Sequence, residues 1–219
     1  MIPPVLRLGF AVALTCAALS APAAAQSFNF DELTGGDDNL FPSDSYQGFL
    51  WRVDAGLGTG ATAQRRHGYV ISPNSSYADV SCRSGAVCTY NGFAEASAIS
   101  RSSAFRFSGW FRGWAPGLFS STPATSILVE GFVTGGASPA FSQVVAIGPT
   151  AWTALDFSSQ PFVNVLQFTP QGGTNFGGQP GGYYLMDDVR YGIVPEPGTL
   201  ALAAGGVTLL AALRRRRGR

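Results

Sequence analysis

Ala104-Phe105-Arg106-Phe107-Ser108 is the stretch that decides the fold, because phenylalanine alternates in it with polar residues. Successive side chains of a β-strand point to opposite faces, so the two phenylalanines should point into a core, with Arg106 and Ser108 outward. Asn164-Val165-Leu166-Gln167-Phe168 alternates in part. No helical period of any length occurs between residues 26 and 193. The pattern therefore predicts an all-β domain.

Short β-rich runs, separated by Gly, Ser, Pro and Asn, continue this pattern along the chain. Many short strands with turn residues at steady intervals are typical of a single β-sandwich. The glycine-rich stretch from Gly172 to Gly182 is predicted to be a hairpin tip. The predicted strands are Phe28–Leu33, Phe49–Val53, Tyr69–Ser72, Asp79–Cys82, Val87–Tyr90, Ala94–Ser100, Phe105–Phe111, Ser126–Val133, Gln143–Ile147, Trp152–Phe157, Val163–Phe168 and Tyr183–Tyr191.

The two ends of the chain differ from this body. Arg7, an apolar run from Leu8 to Leu19 and the small residues Ala23-Ala24-Ala25 have the order of a secretory signal peptide, predicted over residues 1–25. The alternative is a membrane-anchoring first helix, but the run is short for a span of about 20 residues. Cys16 is expected to be removed with this peptide.

The C-terminus has three parts: Val194-Pro195-Glu196-Pro197-Gly198-Thr199, an apolar run from Leu200 to Leu213, and an arginine cluster. A helix over the run would be roughly 21 Å long, short for a bilayer core of about 30 Å. Gly205 and Gly206 weaken it further. Because positive residues stay cytoplasmic, the body should lie across the membrane. A temporary anchor that is later processed fits better than a permanent one.

This three-part order resembles the PEP-CTERM sorting domain of Gram-negative bacteria over residues 194–219. The resemblance implies that Pro195, Glu196 and Pro197 are recognised by exosortase, a membrane transpeptidase-like enzyme. It also implies export across the inner membrane, to the cell surface or to an exopolysaccharide biofilm matrix. Pro197 disfavours helix at Glu196, which keeps the motif extended and open to a protease. The alternative is a chance Pro-rich linker before a tail anchor.

The chain without these ends, residues 26–193, is long enough for one domain with a real core. It carries eight arginines and twelve acids, a formal net charge of −4, and no lysine. A nucleic-acid-binding protein needs a basic surface, so that class is excluded. Cys82 and Cys88 should form a disulfide around a short loop in an exported protein. A zinc site is disfavoured, because two thiols and the distant His67 do not supply four ligands.

The body also resembles the jelly-roll domain common in PEP-CTERM proteins, similar to carbohydrate-binding modules. The order of several loose motifs carries this resemblance; among them are Phe30-Asp31-Glu32-Leu33, Gly48-Phe49-Leu50-Trp51, Val129-Glu130-Gly131-Phe132 and Met186-Asp187-Asp188-Val189. The stretch Trp110-Phe111-Arg112-Gly113-Trp114 is more aromatic than the family pattern. The resemblance implies a jelly-roll β-sandwich and weak glycan binding, although a fold does not establish a function.

Trp110 and Trp114 are the candidate glycan-binding residues, since a flat aromatic ring stacks on a sugar ring. Arg112 and Gly113 between them suggest partial exposure, whereas Trp51 and Trp152 fit a core as well as a site. The direction of Trp110 is open, because Gly109 interrupts the alternation.

The acidic pairs Asp31/Glu32 and Asp187/Asp188 are candidate ligands of a structural calcium ion. They lie near the two ends of the body, and the first and last strands of such jelly rolls often pair. Clustered carboxylates without a nearby arginine attract a cation, and Ca²⁺ takes oxygen ligands. The alternative is ordinary solvated acids at strand ends.

No catalytic constellation is recognisable. His67 is the single histidine of the chain and follows two arginines in a predicted loop. A Ser-His-Asp relay needs a placed nucleophile and an acid that orients the base. We therefore expect a non-catalytic protein of the envelope or exopolysaccharide matrix. The alternatives are a tail-anchored enzyme that acts on polysaccharide and a purely structural coat protein.

Overall fold

The computed structural model describes residues 25–33, 45–51, 69–71, 80–94, 96–117 and 120–193, together with Gly205, Gly206 and Arg214. One compact unit extends from Ala25 to Gly192, and a second comprises Met1–Ala24 with Ile193–Arg219. A single 3-10 turn, Gly92–Ala94, interrupts the strands of the described body. The strands are β1 (Gln26–Phe28), β2 (Ser45–Tyr46), β3 (Phe49–Leu50), β4 (Tyr69–Ile71), β5 (Cys88–Tyr90), β6 (Ser97–Trp114), β7 (Ser126–Phe132), β8 (Phe141–Ala146), β9 (Thr153–Asp156), β10 (Val163–Gln171), β11 (Gly173–Thr174), β12 (Pro180–Gly181) and β13 (Tyr183–Ile193).

The described strands form an all-β sandwich, as the sequence predicts. The main hydrogen-bonded path runs β4-β5-β13-β6-β10-β7-β8, with β3 and β9 also bonded to β6. The first and last strands pair antiparallel, with Gln26 opposite Tyr191 and Phe28 opposite Val189. This pairing confirms the expectation that the two ends of the body meet in one sheet.

Strand β6 is the longest and joins two parts of the sandwich. Its first half pairs with β10 and β3, whereas its second half, from Ser108 to Phe111, pairs with β9. Phe105 and Phe107 are buried and Arg106 and Ser108 are more exposed, as predicted. The alternation continues through Gly109, where a Cβ atom would lie 3.2 Å from the ring of Phe107.

Aromatic rings fill the core in three groups. Phe107, Phe111, Phe168 and Tyr184 contact one another in the first group. The second group lies under the paired terminal strands and contains Phe28, Phe30, Tyr46, Phe49, Trp51 and Tyr191. The third group contains the rings of Tyr90, Trp114 and Tyr183, packed with Cys88, Ala94 and Leu185. Aromatic side chains thus supply most of the large buried residues, which fits the aromatic-rich strands of the sequence.

Four predicted strands need correction. The predicted strand Phe28–Leu33 is instead Gln26–Phe28, followed by a turn that contains Asp31 and Glu32. Asp79–Cys82 is not a strand where it is described, because residues 80–87 form a loop whose N–H groups bond to carboxylates. The predicted strands Ala94–Ser100 and Phe105–Phe111 are joined in the one strand β6, which begins at Ser97, after the 3-10 turn that contains Ala94. The glycine-rich stretch forms a short hairpin from β11 and β12, as predicted.

The two ends of the chain lie almost wholly outside the described residues, including the predicted signal peptide and the motif Pro195-Glu196-Pro197. In the second unit, the described residues Gly205, Gly206 and Arg214 are helical and exposed. No helix in the described part of the chain is long and apolar enough to cross a bilayer.

Candidate functional site

Cys82 and Cys88 form the predicted disulfide, with their Cα atoms 5.4 Å apart. Cys88 is the first residue of β5 and is fully buried. The bond closes residues 83–87, which we call the disulfide loop. The disulfide loop contacts the carboxylates of Asp31, Asp187 and Asp188 and the indole of Trp110.

Asp187 on β13 holds the first half of the disulfide loop. One of its carboxylate oxygens, Oδ2, accepts the backbone N–H groups of Arg83 and Ser84 at 2.9 and 3.0 Å, and Oδ1 accepts that of Asp188. The side chain of Asp187 is fully buried. Burial raises its pKa to about 6, although the N–H donors oppose the shift. Asp187 is therefore a structural acceptor in a region where a charged carboxylate is costly.

Asp31, in the turn after β1, holds the second half. Its Oδ1 accepts the backbone N–H groups of Ala86 and Val87 at 2.7 and 2.9 Å. Gly85 between the two halves has a φ of +59°, and a Cβ atom there would lie 1.6 Å from a carboxylate oxygen of Asp31. Only glycine fits this position, because a side chain would collide with the carboxylate and strain the backbone.

Asp188 directs an arginine onto a tryptophan. The backbone of Asp188 is in the left-handed region, with a φ of 48°. Its carboxylate forms an ion pair with Arg83 and accepts the hydroxyl of Ser84 at 2.6 Å. The guanidinium carbon of Arg83 lies 3.9 Å from the centroid of the Trp110 ring. The disulfide loop therefore places a cation over one face of this indole.

Trp110 stands on the outer face of β6, half-buried. Its cross-strand neighbour on β9 is Ala154, and Ser108 one row away faces Asp156. Hydrogen bonds from Ser158 keep the pKa of Asp156 below its usual range, so this exposed carboxylate is ionised at neutral pH. A partly exposed indole is thus surrounded by charged and hydroxyl groups. We call Arg83, Ser108, Trp110, Asp156 and Asp188 the Trp110 patch.

The other tryptophans are less exposed than Trp110, and the expected partial exposure of Trp114 was wrong. Trp114 is 3% exposed and packs against Tyr90 and Tyr183, so it offers no face to a sugar. Trp51 is 5% exposed and donates its indole N–H to a backbone carbonyl. Trp152 is partly buried, with the guanidinium of Arg112 5.4 Å from its ring. Of the two predicted glycan-binding residues, only Trp110 keeps an exposed surface.

One described cavity lies beside the aromatic core and is lined by Trp51, Ala98, Tyr184 and Met186, among others. Its volume of about 10 Å³ is enough for about one water molecule and too small for a sugar. This cavity is therefore not a glycan-binding site.

The carboxylates proposed for calcium do not assemble into a metal cage. Asp31, Asp187 and Asp188 all meet the disulfide loop, but their oxygens accept N–H or hydroxyl groups or pair with Arg83. Glu32 instead accepts the hydroxyl of Tyr46 at 2.7 Å. No group of three or more metal-binding side chains occurs among the described residues. These residues do not fit the ion as arranged, and calcium binding stays a prediction.

The expectation that no arginine lies near these acids was wrong, because Arg83 pairs with Asp188. Arg83 is the residue that sequence reasoning missed. It is about a hundred positions before its partner in the chain, and only the fold brings the two together. The only feature of the local sequence that could have indicated a role for Arg83 was its position between two cysteines that close a loop. His67 and the cluster Asp37-Asp38-Asn39 lie outside the described residues.

Comparison with known protein families identifies the C-terminal segment. Residues 194–217 match the family described as the PEP-CTERM protein-sorting motif. The chain carries a PEP-CTERM sorting motif. This confirms the resemblance seen in the sequence over the three-part tail. The PEP-CTERM match covers the tail alone, and no curated protein matches the chain.

Two solved structures resemble the chain at low similarity. One is the N-terminal CBM22-1-CBM22-2 tandem domain of Paenibacillus barcinonensis Xyn10C, 17% identical, with a TM-score of 0.39 over 82% of this chain. The chain spans half of that structure's length. The other is the CBM22-1 xylan-binding domain of the same protein, 14% identical, with a TM-score of 0.37 over 81% of this chain and 99% of that one. Because both scores are below 0.5, neither is evidence on what this chain binds.

Proposed function

We propose that the chain is a non-catalytic surface protein that is exported and then sorted by exosortase. The PEP-CTERM motif at residues 194–217 is the observation that carries this proposal. The apolar run after it is undersized for a permanent span, and Gly205 and Gly206 lower its helix propensity. Both features favour a segment that holds the chain until it is cut.

The arginines after the run orient the chain in the inner membrane. They stay on the cytoplasmic side, so the sandwich faces the periplasm while the tail is uncut. After processing, the sandwich would reside at the cell surface or in the exopolysaccharide matrix. The acidic, lysine-free body fits this setting, since it has no basic surface for nucleic acid.

Cell fractionation with an epitope tag inside the hairpin of β11 and β12 tests sorting. The wild-type chain should appear outside the inner membrane as a shortened product. Replacing Pro195, Glu196 and Pro197 with alanine should retain the full-length chain in the inner membrane. Thr199→Ala, two residues after Pro197, is the matched control and should behave as the wild type. Equal release of the triple variant and the control would contradict the proposal.

A second candidate function, glycan binding, is favoured by the Trp110 patch. An indole offers an apolar face to the C–H groups of a sugar ring, and its neighbours offer donors and acceptors to hydroxyl groups. Arg83 and Asp188 have side chains 36% and 23% exposed, so both can reach a ligand. The patch is small and open, which favours weak binding to a polymer over tight binding to a free sugar.

Affinity electrophoresis on a panel of bacterial exopolysaccharides tests this function. Trp110→Ala should weaken retention by at least about tenfold, the loss usual for an aromatic anchor. Phe176→Ala is the matched control, because Phe176 is an aromatic side chain 38% exposed on the hairpin of β11 and β12 and is not part of the Trp110 patch. Equal retention of the two variants would show that Trp110 does not contribute to glycan binding.

The same panel separates the alternative functions. Release of reducing ends would support a polysaccharide-active enzyme and overturn the non-catalytic proposal. Neither retention nor release would leave a structural coat protein, whose sorting would still be measured by fractionation. The polysaccharide assays, which test the sandwich, can thus fail without affecting the fractionation result, which tests sorting by the tail.

A further inference from the structure

Strand β8 lies at the end of the hydrogen-bonded path and is exposed along most of its length. It pairs with β7 from Phe141 opposite Gly131 to Ala146 opposite Ser126. No other described strand pairs with it. The side chain of Val144 at its centre is 58% exposed, the largest exposure among the exposed apolar residues of the described body.

The register identifies which backbone groups of β8 point outward. Ile147, directly after the strand, donates its N–H to the carbonyl of Thr125 on the β7 side. Hydrogen-bonded and non-hydrogen-bonded positions alternate along an antiparallel pair. Ser142, Val144 and Ala146 therefore direct their N–H and C=O groups away from β7. These groups form a row that a further strand can bond.

Within β8 this edge has neither the charged side chains nor the bulges that protect many natural sheet edges. Exposed edges are commonly blocked by charged side chains, inward-pointing charges or bulges. The sequence from Gly131 to Leu155 contains no charged residue, and the pairing of β8 with β7 has no register shift. Pro139 and Pro149 lie just outside the strand and limit the length available for pairing.

We propose that β8 is a homodimer interface, at which β8 of a second copy pairs antiparallel with it about a two-fold axis at Val144. The strand is complementary to itself in this register. Val144 faces Val144 of the other copy, and Ser142 faces Ala146, so all three outward positions exchange hydrogen bonds with outward positions. A charged strand would meet its own charges across such an axis, whereas this strand meets none.

The proposed pairing also continues an apolar row across the interface. Val144 is opposite Leu128 on β7, and Leu128 is opposite Thr169 on β10. Directly opposed residues share a face, so the two copies of Val144 would contact each other and extend the row. A two-fold interface uses the same edge in both copies and closes on itself. The expected product is a dimer and not a filament.

Sedimentation velocity of the full-length chain in mild detergent tests the interface. Val144→Lys places two ammonium groups opposite each other and should raise the dimer dissociation constant at least about tenfold. Val133→Lys is the matched control, because Val133 is 47% exposed but lies just past β7, away from this edge. It should dimerise as the wild type does. A wild-type chain that stays monomeric at high concentration, or equal effects of the two lysines, would overturn the proposal.

A cysteine placed on the axis tests the register without relying on destabilisation. In the proposed pairing the two Cα atoms at position 144 are about 5.5 Å apart, within disulfide range. Val144→Cys should therefore give a covalent dimer on mild oxidation. Ser142→Cys should not, because position 142 faces position 146. Crosslinking of both variants to the same extent would show random collision and reject this register.

Discussion

The disulfide loop and strand β8 are held in opposite ways. The backbone N–H groups of the loop bond to carboxylates from β13 and from the turn after β1, and a disulfide closes its ends. Among the described strands, β8 bonds to β7 alone, and it has no charged side chain. The acids therefore stabilise an irregular segment, which has no strand partners of its own. The regular strand needs no such support and keeps one edge for a partner.

The largest effect should follow from removing Asp187. Asp187→Ala removes a fully buried side chain and the acceptor of the partly buried N–H groups of Arg83 and Ser84, and we expect a loss of about 3 kcal/mol of unfolding free energy. Chemical denaturation of the purified chain measures this loss. Asp188→Ala is the control and should lose less, because an ion pair exposed to solvent contributes little. Equal losses would mean that the charge pair, and not the backbone acceptor, holds the loop.

Removing the disulfide should have the next largest effect. Replacing Cys82 and Cys88 with serine should cost about 2 kcal/mol, since closing so short a loop removes little entropy from the unfolded chain. Reduction of the wild-type protein should give the same loss in the same denaturation experiment. If the serine variant were as stable as the wild type, the carboxylates alone would suffice to hold the loop.

The pH dependence of stability should show the cost of burying Asp187. Its folded pKa of about 6 lies above the ordinary value of 3.8. The protonated form is therefore favoured by folding, and stability is lost as pH rises through about 6. Between pH 5 and pH 7 this group should contribute a loss of about 1 kcal/mol. The slope should be smaller in Asp187→Asn; an unchanged slope would assign the titration to another group.

Strand β8 should tolerate a charge far better than the loop tolerates losing one. Val144→Lys should change the stability of the monomer by less than about 0.5 kcal/mol, because the side chain is exposed. Val129→Ala, at a fully buried position of the neighbouring strand, should cost about 2 kcal/mol. A large loss for Val144→Lys in the monomer would show that β8 packs against the body and is no free edge.

Calcium should have the smallest effect of all. The carboxylates of Asp31 and Asp187 already accept backbone N–H groups, so EDTA or millimolar calcium should leave the melting temperature unchanged. A rise with calcium that disappears in Asp187→Asn would restore the calcium hypothesis. That result would require the disulfide loop to rearrange around the ion.

The alternation around Phe105 and Phe107 was enough to predict the fold class and the facing of β6. The disulfide was also predictable, because two cysteines so close in an exported chain have few other uses. Strand limits were less predictable. Asp79–Cys82 resembles a strand locally, but the fold directs the following N–H groups to carboxylates on distant parts of the chain.

The candidate site was predictable only in part. Trp110 was singled out from its surroundings, but Trp114 has the same residue type and is buried by Tyr90 and Tyr183. The alternation does not distinguish them, because residues 110 and 114 lie on the same face of the one strand β6. The difference arises because Tyr90 and Tyr183, from other parts of the chain, cover that face at Trp114. The position of Arg83 over the indole depends on contacts across more than a hundred residues, which no local pattern encodes.

Strand β13 determines how the body would respond to a pull on its C-terminal end. A pulling force applied beyond Ile193 enters the sandwich through β13, which lies between β5 and β6 and also bonds to β1. Shearing an interior strand breaks hydrogen bonds on both sides together, whereas an edge strand can be peeled away one bond at a time. A pull on the C-terminal end of the body would thus load a strand that has hydrogen-bonded neighbours on both sides.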